Sequence, residues 1–189
     1  MSARVTRAMH RVRRADFLPP GVRHHAPVDV PLTIGHGQTN SQPWTVAFML
    51  GLLDVRPGHR VLDVGAGSGW STALLHELLD ARGSLAAVEI VPELVKFGQA
   101  NLDAAGVDVK VSQARAGVLG LPEQAPFDRI LVSAESADLP AELVAQLAPG
   151  GIMVIPVAGA MWRVEKRADG DLEVSRHGGF RFVPLRRRL

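Results

Sequence analysis

Residues 61–70 read Val61-Leu62-Asp63-Val64-Gly65-Ala66-Gly67-Ser68-Gly69-Trp70, a short apolar run that leads into a glycine-rich turn. This pattern predicts a strand, a tight turn and a helix, with backbone that can approach a ligand closely. The dinucleotide fingerprint is G-x-G-x-x-G, which holds a pyrophosphate at a helix N-terminus. Here the spacing is G-x-G-x-G, Trp70 stands where that fingerprint needs its last glycine, and there is no phosphate-loop lysine. The turn is therefore not typical of a pyrophosphate site.

Two carboxylates stand beside this turn, each at the end of a predicted strand. Asp63 lies two residues before Gly65, and Glu89 lies 24 residues after it. At such strand ends, Asp63 suits a cationic group such as the methionyl ammonium of S-adenosylmethionine, and Glu89 can accept hydrogen bonds from both ribose hydroxyls. We therefore predict an S-adenosylmethionine site that contains Asp63, Gly65, Gly67, Gly69 and Glu89. The alternatives are glycines that serve only the turn and carboxylates that only face solvent.

Outward from the turn, strands and helices alternate along the chain. The predicted strands span residues 60–64, 85–90, 107–112, 127–134 and 152–157, and the predicted helices span 70–80, 92–105 and 140–147. This alternation predicts an α/β fold, doubly wound, with a mostly parallel sheet covered on both faces. Residues 162–167 and 172–176 flank a turn and predict a C-terminal antiparallel hairpin. Residues 180–183 predict one more strand.

The segment before this core begins with a helix predicted at residues 4–15 and several prolines. The polar stretch that follows contains two glycines and predicts a loop with backbone near a ligand. It reads Ile34-Gly35-His36-Gly37-Gln38-Thr39-Asn40-Ser41. A further helix should begin near Pro43, since the missing proline N–H costs nothing in a first turn, and Ser41 can serve as its N-cap.

The length and composition of the chain limit the number of domains and the kinds of chemistry that are possible. The 189 residues predict one domain, divided into an N-terminal helix and loop (1–42), a βα core (43–158) and a C-terminal β segment (159–189). The chain has no cysteine, which excludes disulfides and thiolate chemistry. No metal is expected, because His24 and His25 lack a metal-ligand pattern.

The charge distribution and hydropathy bear on location and partners. The net charge is +2, with arginines concentrated near both ends. Without tyrosine or a recognition motif, this pattern favours a solvated basic face over nucleic-acid binding. No apolar run approaches the ~20 residues of a membrane span, and no apolar stretch of a secretory signal follows the basic N-terminus. We therefore expect a cytoplasmic protein that does not bind membranes, and a monomer.

Over residues 31–185 the sequence resembles the protein-L-isoaspartate (D-aspartate) O-methyltransferase family. Residues 34–43 resemble the signature loop I-G-x-G-Q-T-I-S-x-P of that family, and residues 60–69 resemble its cofactor loop. Residues 125–130, 147–151 and 181–185 resemble its later landmarks. The signature loop and the last landmark are rare outside the family, whereas the cofactor loop is shared by many methyltransferases.

The resemblance implies a seven-stranded sheet, S-adenosylmethionine as donor with S-adenosylhomocysteine as product, and methyl ester formation on isoaspartyl residues of damaged proteins. It implies that Ser41 is the catalytic residue and that Gln38, Thr39 and Asn40 line the cofactor beside it. The chemistry is consistent with these residues. A free carboxylate has a pKa near ~4 and is already an anionic nucleophile at neutral pH, so no strong base is required.

Three positions depart from the family pattern. Ala116 stands where an aspartate usually holds the adenine amino group, although the alignment still predicts this position as cofactor-binding. Glu135 places a negative charge near the expected active site, and Asn40 replaces the usual isoleucine. These departures leave three alternatives open: a carboxylate methyltransferase for a dedicated peptide or small molecule, a degenerate cofactor-binding interaction module, and a nicotinamide-dependent dehydrogenase. Trp70 disfavours the last.

Overall fold

A computed structural model describes residues 2–188 of the chain. The N-terminal part contains α1 (Ala3–Arg11), 3-10 segments at Arg14–Phe17 and Pro20–His25, the short strands β1 (Leu32–Gly35) and β2 (Gln38–Asn40), and α2 (Pro43–Leu53). No helix among residues 2–188 is both long and apolar enough to cross a membrane.

The core and the C-terminal part follow with alternating elements. The first elements are β3 (Arg60–Val64), α3 (Trp70–Leu78), β4 (Ser84–Glu89), α4 (Pro92–Ala104) and β5 (Val111–Gln113). A 3-10 segment at Pro122–Gln124 precedes β6 (Phe127–Val132), α5 (Ala141–Ala145), β7 (Leu147–Val157), β8 (Ala160–Lys166) and β9 (Leu172–Gly179).

The main sheet has seven strands in the order β5-β4-β3-β6-β7-β8-β9. Strands β3 to β7 pair in parallel, and β8 and β9 add to the β7 edge in antiparallel orientation. The chain moves from β3 outward to β4 and β5 and then returns to β6 on the other side of β3. The predicted doubly wound α/β fold with a C-terminal antiparallel addition is confirmed.

Alternate residues of the central strands enter two separate apolar layers. Val61 of β3 and Leu131 of β6 lie in the layer that includes α2 and α3, whereas Leu62 and Ile130 lie in the layer that includes Leu143 of α5. Both faces of a doubly covered strand must be apolar, which is why these strands read as continuous apolar runs in the sequence. The apolar core thus fixes the strand ends from which the site is built.

Several predicted boundaries are wrong, and each error has a local cause. Strand β7 begins at Leu147 rather than at residue 152, because a bulge that contains Gly150 (φ 76°) continues the pairing with β6. Helix α5 is correspondingly short, and β5 starts at Val111 rather than at residue 107. Residues 180–183 are not a strand; Glu135 pairs with this segment only through single backbone contacts.

The polar stretch at residues 34–41 was predicted as a loop but forms most of a β-hairpin. Strands β1 and β2 pair in antiparallel register, with Gly35 opposite Gln38. His36 and Gly37, at the tip, both have positive φ, as the tight two-residue hairpin turns require. Pairing with β1 therefore fixes the backbone of residues 38–40 directly before Ser41.

Candidate functional site

A cavity lies at the carboxyl ends of β3, β4 and β6, where the strand order reverses. Ligands of open α/β sheets bind at such switch points. We call this space the main cavity, and it is lined by Ile34, Gln38, Thr39, Asn40, Ser41, Val46, Val64, Gly65, Ala66, Gly67, Ser68, Trp70, Ser71, Val88, Glu89, Ile90, Leu94, Ala114, Val118, Leu119, Gly120, Ser133, Ala134, Val183, Pro184, Leu185 and Arg186.

The glycine turn closes one wall of the main cavity and packs directly on α4. A Cβ atom on Gly69, whose φ is 86°, would lie 3.0 Å from the carbonyl oxygen of Gly98 in α4. A Cβ atom on Gly98 would lie 2.7 Å from the carbonyl oxygen of Gly67. The turn and the helix therefore fit together only because both contact positions lack side chains. Gly69 itself does not line the cavity, and its predicted contact with the cofactor stays a prediction.

Replacing Gly98 by alanine is expected to displace the turn, because the new methyl group would meet rigid backbone rather than a flexible side chain. We expect a loss of about 1–3 kcal/mol in the free energy of unfolding, as for overpacked cores. The dissociation constant for S-adenosylhomocysteine, measured by calorimetry, should rise together with this loss. Gly51→Ala in α2 is the matched control: nothing lies within 4 Å of its Cβ position, so this variant should be slightly stabilised. Equal behaviour of the two variants would contradict the packing argument.

Glu89 ends β4 and fixes the geometry of the turn through its carboxylate. One oxygen, Oε2, accepts from the backbone N–H of Gly67 at 2.9 Å. The other, Oε1, accepts from the N–H groups of Ile90 (2.7 Å) and Val91 (2.9 Å). A carboxylate has about four acceptor positions, so these three bonds leave room for a further donor in the cavity that Glu89 lines.

Asp63 lies one layer beneath the cavity and is completely buried. Its Oδ2 atom accepts from the hydroxyls of Ser71 (2.8 Å) and Thr72 (2.7 Å), and Ser71 itself lines the cavity. Its Oδ1 atom has no hydrogen-bond partner among the described residues. Burial raises the pKa of Asp63 to about 6, against the opposing effect of the two hydroxyls. An unpartnered buried carboxylate oxygen is costly, and a cationic ligand group is the kind of partner that would satisfy it.

The β1–β2 hairpin is fastened to the glycine turn by Asn40. The Nδ2 atom of Asn40 donates to Ser68 Oγ at 2.9 Å, and its Oδ1 accepts from Arg14 Nε at 2.7 Å. Isoleucine, the residue expected at this position, could make neither bond. Asn40 thus has a polar partner on each side, Arg14 and Ser68, which accounts for a polar residue at this position.

Arg14 is buried and uses its guanidinium to organise the whole N-terminal segment. Besides Asn40 Oδ1, it donates to the backbone carbonyl oxygens of Ala26, Val28, Val30, Asn40 and Ser41. Burial lowers its pKa to about 10, so it remains a cation at neutral pH. The guanidinium also lies 5.6 Å from the ring of Trp70, whose indole N–H donates to the carbonyl of Val12. Sequence reasoning missed Arg14 because nothing local distinguishes it from its four exposed or half-exposed arginine neighbours.

Ser41 lies at the opening of the main cavity and does not act as the N-cap of α2. The cap residue is Gln42, which makes no side-chain cap bond. Asp29 accepts instead from the N–H of Trp44 at 2.8 Å, a contact that no local pattern reveals. The predicted capping role of Ser41 is therefore wrong. Its hydroxyl makes no hydrogen bond to any described residue, so it is available to a ligand in the cavity.

The C-terminal segment covers the main cavity, and Glu135 holds it there. The Glu135 carboxylate accepts from the N–H groups of Gly159 (2.9 Å) and Phe182 (3.2 Å), and its backbone pairs with Val183 and Leu185. Glu135 does not line the cavity. Its negative charge is therefore turned towards backbone donors rather than towards a bound carboxylate.

The position predicted to carry the adenine contact lies outside the cavity. Ala116 is exposed and is not among the lining residues, whereas Ala114, Val118 and Leu119 of the same segment are. These apolar side chains and Ile90 line the same cavity and give it an apolar part. Among the remaining predicted residues, seven line the main cavity together: Gln38, Thr39, Asn40, Ser41, Gly65, Gly67 and Glu89.

The chain is similar in sequence and in structure to known proteins of one family. The family model for protein-L-isoaspartate(D-aspartate) O-methyltransferase matches residues 1–189. A protein-L-isoaspartate O-methyltransferase of Methanopyrus kandleri is 50% identical over 190 residues, which cover 97% of this chain and 84% of the relative. One from Aeropyrum pernix is 47% identical over 192 residues, covering 97% and 73%. The crystal structure of a Plasmodium falciparum protein of this type, in complex with S-adenosyl-L-homocysteine, matches with a TM-score of 0.85 at 26% identity, covering 99% of this chain and 92% of that one.

Proposed function

The chain belongs to the protein-L-isoaspartate(D-aspartate) O-methyltransferase family, and from this membership we infer its reaction. It transfers a methyl group from S-adenosylmethionine to the free carboxylate of isoaspartyl residues in damaged proteins. The observation that carries this conclusion is the match of the family model over the whole chain together with a relative at 50% identity. The resulting ester collapses to a succinimide in this family, as the resemblance implies, which allows repair.

The residues of the main cavity fit the donor in three respects. The unpartnered oxygen of Asp63 and the Ser71 hydroxyl above it suit the ammonium group. Glu89 keeps acceptor capacity for a ribose hydroxyl while it holds the turn. Ile90, Val118 and Leu119 suit an adenine ring. We propose that these residues, with Gly65 and Gly67, form the cofactor site, and that Ala116 is not part of it.

S-adenosylmethionine, when bound, supplies an electrophilic methyl group on sulfur. The protein's contribution is to bring an ionised carboxylate into line with it, which is catalysis by proximity and orientation. Ser41 and Thr39 face the cavity from the hairpin and can donate hydrogen bonds to that carboxylate. No general base is needed, because a carboxylate with a pKa near ~4 is already ionised at neutral pH.

Glu135 and Ala116 depart from the family pattern and favoured a dedicated substrate in the sequence. Their positions in the structure weaken that argument. Glu135 accepts hydrogen bonds from the backbone N–H groups of Gly159 and Phe182 and does not line the cavity, so it is not a direct neighbour of a carboxylate bound there. Ala116 is exposed and does not line the cavity, whereas Ala114, Val118 and Leu119 of the same segment do. The repair substrate therefore remains the best-supported one.

The function is tested by incubating the protein with methyl-labelled S-adenosylmethionine and a short isoaspartyl peptide. The same peptide with a normal aspartyl residue is the control. We expect base-labile methyl ester on the isoaspartyl peptide alone. Absence of ester, with S-adenosylhomocysteine still bound in calorimetry, would exclude the repair reaction and favour a dedicated substrate.

Ser41→Ala tests the proposed catalytic contact. Loss of a hydrogen bond to a charged group costs about 1.5–3 kcal/mol, so kcat/KM for the isoaspartyl peptide should fall roughly ten- to a hundredfold. The free energy of unfolding should stay within about 0.5 kcal/mol of the parent, because Ser41 caps no helix. Ser175→Ala on the exposed face of β9 is the matched control and should retain parental kinetics. A stability loss near 1 kcal/mol with unchanged kinetics would instead identify Ser41 as structural.

We further propose that residues 1–189 act as a single domain and a monomer in the cytoplasm, without nucleic acid as a partner. The support against a nucleic-acid partner is the absence of a recognition motif from the basic stretches near both ends.

A further inference from the structure

Another cavity lies beside the main one and shares part of its lining. We call it the side cavity, and it is lined by Pro31, Thr39, Ser41, Gln42, Trp44, Thr45, Ser133, Gly179, Phe180, Arg181, Phe182 and Val183. Thr39, Ser41, Ser133 and Val183 line both spaces. A substrate whose carboxylate reaches Ser41 from outside therefore has its neighbouring residues in or beside the side cavity.

Trp44 and Phe180 line the side cavity, and Phe48, just behind its lining, stacks with both in near-parallel orientation. Trp44 and Phe48 of α2 stack with ring centroids 5.2 Å apart and planes at 6°. Phe180 lies 6.1 Å from Trp44 at 12° and 5.6 Å from Phe48 at 17°. We call Trp44, Phe48 and Phe180 the aromatic cluster.

The aromatic cluster is held rigidly yet remains open to a ligand. Trp44 and Phe48 are four residues apart in α2, on one helix face. The N–H of Trp44 is bound by Asp29, and the N–H of Phe180 donates to Gly159 at 2.8 Å. Despite these ties, Trp44 is 51% exposed. A large apolar ring fixed in the open at the mouth of a binding cavity is typical of a recognition surface rather than of a core.

We propose that the aromatic cluster is a substrate subsite for an apolar side chain, above all an aromatic one, located within three residues of the isoaspartyl residue. This inference rests on the proposed function, since it assumes a polypeptide whose carboxylate is delivered to Ser41. A ring from the substrate packs against the Trp44 side chain, which is half exposed. Aromatic pairs gain free energy beyond the burial of their area, so the subsite discriminates between flanking residues.

The test is a set of isoaspartyl peptides in a glycine and serine background, with phenylalanine placed in turn at each of the three positions on either side. At one position or more, phenylalanine should raise kcat/KM about tenfold over glycine, mainly through KM. In Trp44→Ala this ratio should fall below about twofold, and Trp44→Phe should keep most of it. Leu172→Ala, which removes an exposed apolar side chain from β9, is the matched control and should keep the parental ratio.

The outcomes separate the subsite from the function itself. Methylation of all peptides at equal rates by the parent protein, or an unchanged ratio in Trp44→Ala, would overturn the subsite and leave the repair reaction intact. Failure to methylate any isoaspartyl peptide would overturn the proposed function instead. Thermal unfolding of each variant shows whether it is folded, and the Trp44→Phe variant keeps the test valid if Trp44→Ala is unstable.

Discussion

Asp63→Asn is expected to weaken binding of S-adenosylmethionine roughly ten- to a hundredfold while the ligand-free protein becomes more stable. The first effect follows from losing a charged acceptor for the ammonium group, worth about 1.5–3 kcal/mol. The second follows from burial: raising the pKa of Asp63 from 3.8 to about 6 corresponds to a penalty of about 3 kcal/mol for the ionised form at neutral pH. The amide that replaces it carries no charge, so part of this penalty disappears.

The difference in stability between Asp63→Asn and the parent should change with pH in a definite direction. Between pH ~4 and ~6 the folded protein keeps the proton of Asp63 while the unfolded chain has lost it, so the contribution of Asp63 to stability falls as the pH rises through this window. The stability advantage of Asp63→Asn over the parent should therefore grow from pH 4 to pH 6 and then level off. Urea unfolding at several pH values measures it.

Asp108→Asn provides the control for charge, since Asp108 is exposed and makes no side-chain hydrogen bond to a described residue. This variant should follow the parent in both stability and ligand affinity. If Asp63→Asn bound S-adenosylmethionine with parental affinity, Asp63 would have a purely structural role.

Arg14→Leu is expected to destabilise the protein by about 3–5 kcal/mol and to remove most methyl transfer. The change would leave the Asn40 side chain and five buried or partly buried carbonyl groups without their donor. Each buried acceptor left without its donor costs about 1–3 kcal/mol, and water can satisfy only the partly buried ones, so the sum falls in this range. The hairpin that presents Ser41 depends on the same bonds, so kcat should fall along with stability.

The neighbouring Arg13 offers a matched control, because its side chain is 72% exposed and only pairs loosely with Asp16. Arg13→Leu should change the free energy of unfolding by no more than about 0.5 kcal/mol. Urea unfolding and single-turnover transfer are the measurements. Similar results for the two variants would show that the guanidinium of Arg14 does not organise the hairpin.

The parts of the site that were predicted from sequence are those encoded by neighbouring residues. The glycine turn and the carboxylates at the ends of β3 and β4 follow from short-range patterns, and β3 begins and ends where predicted. The roles assigned to Asp63, Glu89 and Ser41 stay predictions until they are measured. The family resemblance was confirmed by the family model and by relatives at up to 50% identity.

The parts that sequence reasoning missed depend on contacts between distant residues. Asp29, not Ser41, satisfies the start of α2, and it comes from a segment with no regular structure. Arg14 reaches across the fold to residues 26–41, and its side chain is buried only because the hairpin closes over it. The orientation of Glu135 is set by residues 159 and 182, so its charge could not be assigned from the local sequence.

We expect the main cavity to bring the donor and an isoaspartyl carboxylate together at Ser41. A crystal structure of the protein with S-adenosylhomocysteine and an isoaspartyl peptide would show this arrangement directly. A free carboxylate oxygen should lie about 2.6–3.2 Å from Ser41 Oγ and face the sulfur atom. A carboxylate bound away from Ser41, or S-adenosylhomocysteine bound outside the main cavity, would contradict it.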